Sequence, residues 1–358
     1  MPDGPSVVFV VPGSVETRTG GYHYDRRVIA GLRERGWVVD VRELDDGFPR
    51  PSPSALASAA RALATIPDQT VVLIDGLALG AMPIEVEAEA SRLRLVAIVH
   101  MPLAEAVGLD CDTAARFRLT ERRALASVAR VIVTGRATAA ALAGYGVGRD
   151  RITIVEPGTD RAPLARGSSD SRVHLLCVAT LNQGKGHGIL FDALASARNR
   201  EWLLTCAGSL DRDPLTVDLL RAQLRRDGLG ERVSLVGDLD AEKLADCYDR
   251  ADVFVLATLH ETYGMAVAEA LAHGLPVVGT RTGAIPELIG TGGDLAGLLV
   301  PPGDGPALAE ALSQVLGRAD LRARLADGAR RVRNRLPGWD QAIDRVEAAL
   351  AGAGRSGG

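Results

Sequence analysis

The stretch Asp252–Thr280, DVFVLATLHETYGMAVAEALAHGLPVVGT, contains in miniature the pattern that fixes the fold. It opens on a short apolar run, Asp252–Ala257, which reads as a buried strand. From Gly264 the spacing becomes helical, with Met265, Ala268, Leu271 and Ala272 on one apolar face. A second apolar run, Pro276–Gly279, follows. Strand, helix, strand in that order is a parallel βα unit.

Working outward, the same alternation fills the chain. Before a polar break, the strands are expected at Ser6–Val11, Trp37–Arg42, Thr70–Asp75, Leu95–Val99, Arg130–Thr134 and Ile152–Val155, with helical stretches such as Thr113–Ser127 between them. Ala162–Arg172, APLARGSSDSR, has no apolar periodicity and is the linker candidate. After it come Val173–Ala179, Trp202–Ala207, Arg232–Val236, Asp252–Ala257, Pro276–Gly279 and Gly297–Val300. The expected fold is therefore α/β, with two Rossmann-like doubly wound domains facing a central cleft, where ligands meet the carboxyl ends of the strands. The domains are set at residues 1–165 and 166–335. A last helix over 336–350 follows the break at Leu336-Pro337-Gly338 and is expected to pack back on the first domain, and 351–358 forms a polar tail expected to be disordered.

Composition narrows the function. A chain of 358 residues suits two domains, and a net charge of −4 argues against nucleic-acid binding. No apolar run approaches the ~20 residues of a membrane span, and the first residues lack the features of a signal peptide, which predicts a cytoplasmic location. Cys111, Cys177, Cys206 and Cys247 are dispersed, without CxxC spacing, and read as reduced core residues. Three Asp-x-Asp triplets, at Asp110/Asp112, Asp211/Asp213 and Asp238/Asp240, precede helical stretches, so Asp112 and Asp240 are read as N-caps and the middle triplet as a cap ahead of Pro214. No metal site is expected. Arg116, Arg118, Arg122 and Arg123 form a basic cluster on one helical stretch. Charge on an exposed helix face is the commoner meaning, and peripheral membrane contact the rarer one.

The chemistry concentrates at strand ends. Glu261 stands in the loop after one strand and Glu269 within the next helix. Taken singly, Glu261 reads as a solvated loop residue and Glu269 as the partner of a surface arginine. Together such carboxylates suit the hydroxyls of a sugar, while the amides of Tyr263, Gly264 and Met265 at the helix start suit phosphate oxygens, with Thr262 beside them on the donor side. Ala179–His187, ATLNQGKGH, places Lys185 between glycines at a strand-to-helix turn, a diphosphate clamp or an ordinary glycine-rich turn. Lys185 and Lys243 are the only lysines, but Lys243 lies in a plain amphipathic helix, so rarity alone proves nothing. Gly20 and Gly21 follow the first strand. His100 ends another strand, and Asp75-Gly76 ends a third as a turn or as an acceptor contact. Tyr22 and His23 line the acceptor side or pack the helix behind the glycines.

The string HETYGMAVAEALAHGLPVVGTRTGAIPEL, His260–Leu288, resembles the E-x7-E segment of retaining GT-B glycosyltransferases of family 4, and the resemblance extends from Val7 to about Leu350. It implies a hexosyl transfer from a UDP- or GDP-sugar to an acceptor hydroxyl, with the nucleotide sugar as co-substrate and no cofactor or metal. Glu261 is then expected on the sugar hydroxyls, Glu269 on the ribose, Lys185 on the diphosphate and His100 beside the transferred sugar. Gly20 and Gly21 close on the donor, and Gly208 and Val236 supply backbone to the base. Gly283, Pro286 and Glu287 complete the signature, and Glu156–Asp160 resembles the family's PxGxD turn at the domain junction. One position departs: Thr180 stands where the family has an arginine that shares the diphosphate charge, which implies weaker or rearranged phosphate binding, with Arg281 or an arginine of the first domain as the substitute. A same-fold epimerase or sugar-phosphate synthase is the enzymatic alternative, and a non-catalytic nucleotide-sugar binder the other. The sequence does not fix the oligomeric state.

Overall fold

A computed structural model describes residues 4–197 and 199–353. They form two compact units, one reaching to Gly158 and taking in the chain again from Pro337, the other spanning Thr159–Leu336. The division falls inside the turn Glu156–Asp160 and not at 165/166. The linker candidate Ala162–Arg172 packs on the second unit. Ala165 N–H donates to the His273 carbonyl (2.9 Å), and Arg166 pairs with Asp249.

The first unit is a six-stranded parallel sheet of β1 (Ser6–Pro12), β2 (Val38–Leu44), β3 (Val71–Asp75), β4 (Arg94–Val99), β5 (Arg130–Val133) and β6 (Ile152–Ile154), in the order β2-β1-β3-β4-β5-β6. Its central strands are buried on both faces, which is why they read as unbroken apolar runs and not as alternating ones. The order reverses between β1 and β3. Loops leaving those two strands diverge there, and their carboxyl ends open a crevice.

The helix Trp339–Ala353 completes this unit. Trp339 packs edge-on against Tyr24 (centroids 5.7 Å) with Arg27 over its ring, while Trp37 Nε1 donates to Glu347 (2.7 Å). The helix runs through Ala353, three residues into the stretch expected to be disordered; 354–358 lie outside the described residues.

The second unit is another six-stranded parallel sheet: β7 (Val173–Val178), β8 (Trp202–Ala207), β9 (Val233–Gly237), β10 (Val253–Leu256), β11 (Val277–Thr280) and β12 (Gly297–Val300), ordered β12-β11-β10-β7-β8-β9. Here the reversal lies between β7 and β10, the strand order of dinucleotide-binding sheets. The loops after β7 and β10 carry Lys185 and Glu261, so topology alone predicts that these residues meet.

The Asp-x-Asp triplets are helix caps, with one correction. Asp110, not Asp112, caps the helix Cys111–Ala126, accepting from Thr113 N–H (2.8 Å). Asp213 and Asp240 cap Pro214–Arg226 and Ala241–Arg250. In the basic cluster, Arg123 pairs with Glu87 and Arg118 lies over the Tyr145 ring (5.6 Å). No helix among the described residues is long and apolar enough to cross a membrane.

Candidate functional site

At the reversal of the second sheet, Lys185 Nζ and Glu261 Oε2 lie 2.7 Å apart, both side chains partly exposed. The lysine loop gets there through Gly186, whose φ of +66° belongs to the left-handed region and whose α-carbon faces the Ala257 carbonyl so closely that a side chain has no room. The Gly184 carbonyl ties the two loops together, accepting from Leu259 N–H (2.8 Å) and Thr258 Oγ1 (3.1 Å). A third loop braces Glu261 from the other side. Gly283, at φ +55°, packs directly under the Glu261 carbonyl, Ala284 N–H donates to the Thr262 carbonyl (3.2 Å), and Glu261 N–H donates to Thr282 Oγ1 (3.3 Å). Strand β11 thus holds the carboxylate that β10 delivers.

Gly264, at φ +96°, turns the chain into the helix Met265–Ala272. Met265 is half-buried at its first turn, while the Tyr263 ring belongs to the hydrophobic core. Thr262 N–H bends back to Glu261 Oε1 (3.2 Å). Further along, Glu269 accepts from the Tyr248 hydroxyl (2.9 Å). Burial pushes the Glu269 carboxyl up to about 7, despite the Tyr248 hydrogen bond, with the nearby Asp160 charge adding to the rise. Tyr248 is itself stacked on His273 (centroids 4.7 Å, 8° between planes).

Gly208, at φ +148°, lies so close to the Ala179 carbonyl and the Thr180 amide that it admits no β-carbon, and its N–H donates to Gly237 (2.9 Å). Val236, 41% exposed, sits near the end of β9. Thr180 is half-buried just past β7. Arg281, the residue considered as a stand-in for the missing arginine, is exposed, and its guanidinium donates to the Leu299 carbonyl (3.3 Å).

Beneath the lysine loop the structure brings together residues that look dispersed in the sequence. Cys177 and Cys206 are register partners on β7 and β8, and His187 Nε2 lies 3.6 Å from Cys177 Sγ, all three buried. Hydrogen bonding from Cys206, then the His187 charge, pulls the Cys177 thiol down to about 5 in spite of burial.

In the first unit, the reversal between β1 and β3 gathers the other candidates. His100, just past β4, points Nε2 at Asp25 Oδ1 (3.0 Å) and Asp75 Oδ2 (3.5 Å). Asp25 lies on the helix Gly20–Glu34, capped by Thr19, and Gly21 on the same helix lies against the imidazole. A β-carbon on Gly21 would stand 3.2 Å from His100 Cδ2. Asp75 caps the short helix Gly76–Leu79 through Leu77 N–H (2.7 Å). Tyr22 and His23, expected toward the acceptor, are engaged in packing: the Tyr22 hydroxyl donates to the Pro12 carbonyl, and His23 packs edge-on against Trp339 (6.0 Å). Asp25 and Tyr248 escaped the sequence reading. The spacing Gly21 to Asp25, one helical turn, was the available signal for the first.

These two units, each with its candidate groups at a sheet reversal, define a GT-B architecture. Residues 8–162 match the family described as Glycosyltransferase Family 4, and residues 172–318 match Glycosyl transferases group 1. The chain belongs to this glycosyltransferase family. A D-inositol 3-phosphate glycosyltransferase from Xylanimonas cellulosilytica is 32% identical over 214 residues, covering 55% of this chain and 50% of that protein. An MMP alpha-(1->4)-mannosyltransferase from Mycolicibacterium hassiacum is 27% identical over 82% of this chain and 74% of its own. The chain spans about half the length of several curated relatives it matches. Among solved structures, a sucrose-phosphate synthase from Thermosynechococcus elongatus aligns with a TM-score of 0.81 at 20% identity, over 97% of this chain and 98% of that one. Anabaena HepE, solved with UDP-glucose, aligns at 0.78 and 18% identity, over 97% and 99%. At such identities the likeness is one of fold.

Proposed function

We propose that the chain is a retaining hexosyltransferase that takes its sugar from a UDP- or GDP-sugar and passes it to an acceptor hydroxyl. The observation that carries this reading is the Lys185–Glu261 pair at the reversal of the second sheet, braced by three loops. An ammonium and a carboxylate held side by side, next to a helix start, match a ligand with a phosphate beside a polyhydroxyl ring. Lys185 and the first amides of Met265–Ala272 take the diphosphate, Glu261 the sugar hydroxyls, and Glu269 the ribose. The backbone about Gly208 and Val236 is left for the base.

In the reaction the bond from the anomeric carbon to the diphosphate oxygen breaks, and the acceptor oxygen bonds to the same face of that carbon. The acceptor's proton moves to the departing phosphate oxygen, so retention needs no protein nucleophile. Lys185 stabilises the charge that develops on the diphosphate, the role in which preorganised cations contribute most. That cation and the helix amides supply the counter-charge a divalent metal otherwise gives, so transfer is expected without one. His100 serves the transferred sugar. The names of the relatives put phosphorylated polyols and mannosides first among acceptors to try.

The test is a panel of UDP- and GDP-sugars with polyol-phosphate and mannoside acceptors, in EDTA, following nucleotide release and the anomeric configuration of the product by NMR. One donor should be consumed with retention, and Glu261→Ala should abolish turnover. Inversion, or dependence on added metal, would reject the mechanism. Acceptor-independent epimerisation would favour the epimerase instead.

A further inference from the structure

The cluster around His100 is more than a histidine with a neighbour. One ligand atom each from Asp25, Asp75 and His100 lies within 4.8 Å of the other two. The two aspartates are 0% and 2% exposed, and among the described residues no lysine or arginine pairs with either. Two carboxylates facing one imidazole nitrogen in a dry site repel each other, and burial penalises both charges. Asp25 Oδ2, wholly buried, has no hydrogen-bond donor. Asp75 spends Oδ1 on Leu77 N–H and turns Oδ2 toward His100, within reach of the Asp25 carboxyl. One proton on Asp75 supplies the donor that Asp25 lacks, and leaves ionised Asp25 paired with the imidazole at 3.0 Å.

We propose that Asp25 and Asp75 share one proton, and that ionised Asp25 holds His100 as an oriented imidazolium through Nε2, making both aspartates positioning residues for glycosyl transfer. Their link to transfer rests on the function proposed above; the shared proton does not. The titration behaviour agrees. Burial pushes the Asp75 carboxyl up to about 7, aided by the Asp25 charge. Burial alone would lower His100, but Asp25 and then Asp75 outweigh it and raise it. Among the described residues the other groups about His100 are uncharged: the Tyr24 ring stands edge-on to the imidazole (5.4 Å) with its hydroxyl on the Val155 carbonyl, Gly21 covers one side of the ring, and Thr134 and Thr138 donate to the backbone carbonyl of His100. His100 therefore meets its ligand as a hydrogen-bond donor and positive charge, not as a base.

Imidazole ¹⁵N spectra of histidine-labelled protein test this across pH 5–9, with His100→Gln assigning the resonance. Both His100 nitrogens should be protonated at pH 7, with a midpoint above the ~6.5 of a free histidine. Asp25→Asn should lower the midpoint by about one unit or more, a tenfold or larger loss of proton affinity. Asp75→Asn should leave it raised, because the carboxamide donates to Asp25 as the shared proton does. If Asp25→Asn does not fold, Asp75→Leu replaces it, and its Tm should fall well below that of Asp75→Asn, because only leucine removes the donor. In turnover, Asp25→Asn should lower kcat roughly 10–100-fold with donor KM little changed. A neutral His100 at pH 7, equal effects of the two asparagine variants, or His100 signals that shift with EDTA and return with a divalent ion would overturn the proposal. A correct titration in a protein that turns over no nucleotide sugar would leave the proton sharing intact and reject the proposed function alone.

Discussion

At the scale of single residues, surroundings fix the charge of the buried carboxylates. Glu269 titrates near 7 because burial disfavours its ionised form. If ionised Glu269 accepts from ribose hydroxyls, donor affinity should rise between pH 6 and pH 8 by up to roughly tenfold, following the ionised fraction. Calorimetric titration with the nucleotide at both pH values checks this, and Glu269→Gln should flatten the dependence. Much of this scale was legible. Lys185, Glu261 and Glu269 stood out through the resemblance of the strings that hold them, since each alone also reads as an ordinary loop or helix residue, and His100 stood out through its place at a strand end. Asp25 was not legible, because an aspartate inside an amphipathic helix looks like a solvated one until the fold brings β3 and β4 beside it. Tyr248 and the Cys177–His187–Cys206 cluster were missed because their partners stand on other elements: Glu269 on the next helix for Tyr248, and for Cys177 a neighbouring strand and the helix after its own strand.

At the scale of elements, glycines and caps decide where functional groups sit. Gly283 supports the Glu261 loop from a left-handed conformation with no space for a side chain. Gly283→Ala should cost about 1–3 kcal/mol in urea unfolding and lower turnover more than stability, because the strain lands on the Glu261 carbonyl. The loop after β4 depends on a different device. Leu103 N–H donates to Glu121 on the helix Cys111–Ala126 (3.0 Å), and burial pushes that carboxyl up to about 8. A folded-state value above the unfolded one means stability is full below the unfolded value and declines as pH climbs through about 8. Glu121→Gln should therefore match the wild type at pH 5 and exceed it at pH 9, by on the order of 2 kcal/mol in chemical denaturation. Equal stabilities at pH 9 would contradict that reading. The strands were readable because buried parallel strands are plain apolar runs. Helix starts were less so: two aspartates two residues apart offer equivalent caps, and only hydrogen-bond geometry chose Asp110 over Asp112.

At the scale of the whole molecule, two sheets with different strand orders place their reversals at different strand pairs, and each reversal gathers one group of candidates. Periodicity showed that there were two sheets. It did not show their strand order, which depends on crossovers, nor that Trp339 is the residue through which the last helix docks on the first unit. Trp339→Ala should cost about 3–5 kcal/mol in the first unit. Hydrogen exchange should then show lost protection on β1 and the helix Gly20–Glu34, with amides of 159–336 unaffected. On the proposed function, the second unit binds a nucleotide diphosphate sugar through Lys185 and Glu261. The most direct test of that binding is isothermal titration of UDP, GDP and their sugars into wild type, Lys185→Ala and Glu261→Ala in EDTA. One nucleotide should bind, Lys185→Ala should weaken it by roughly 10–100-fold, and Glu261→Ala should weaken the sugar conjugate but not the free nucleotide. Equal binding by all three proteins, or none of these ligands bound by the wild type, would contradict the account.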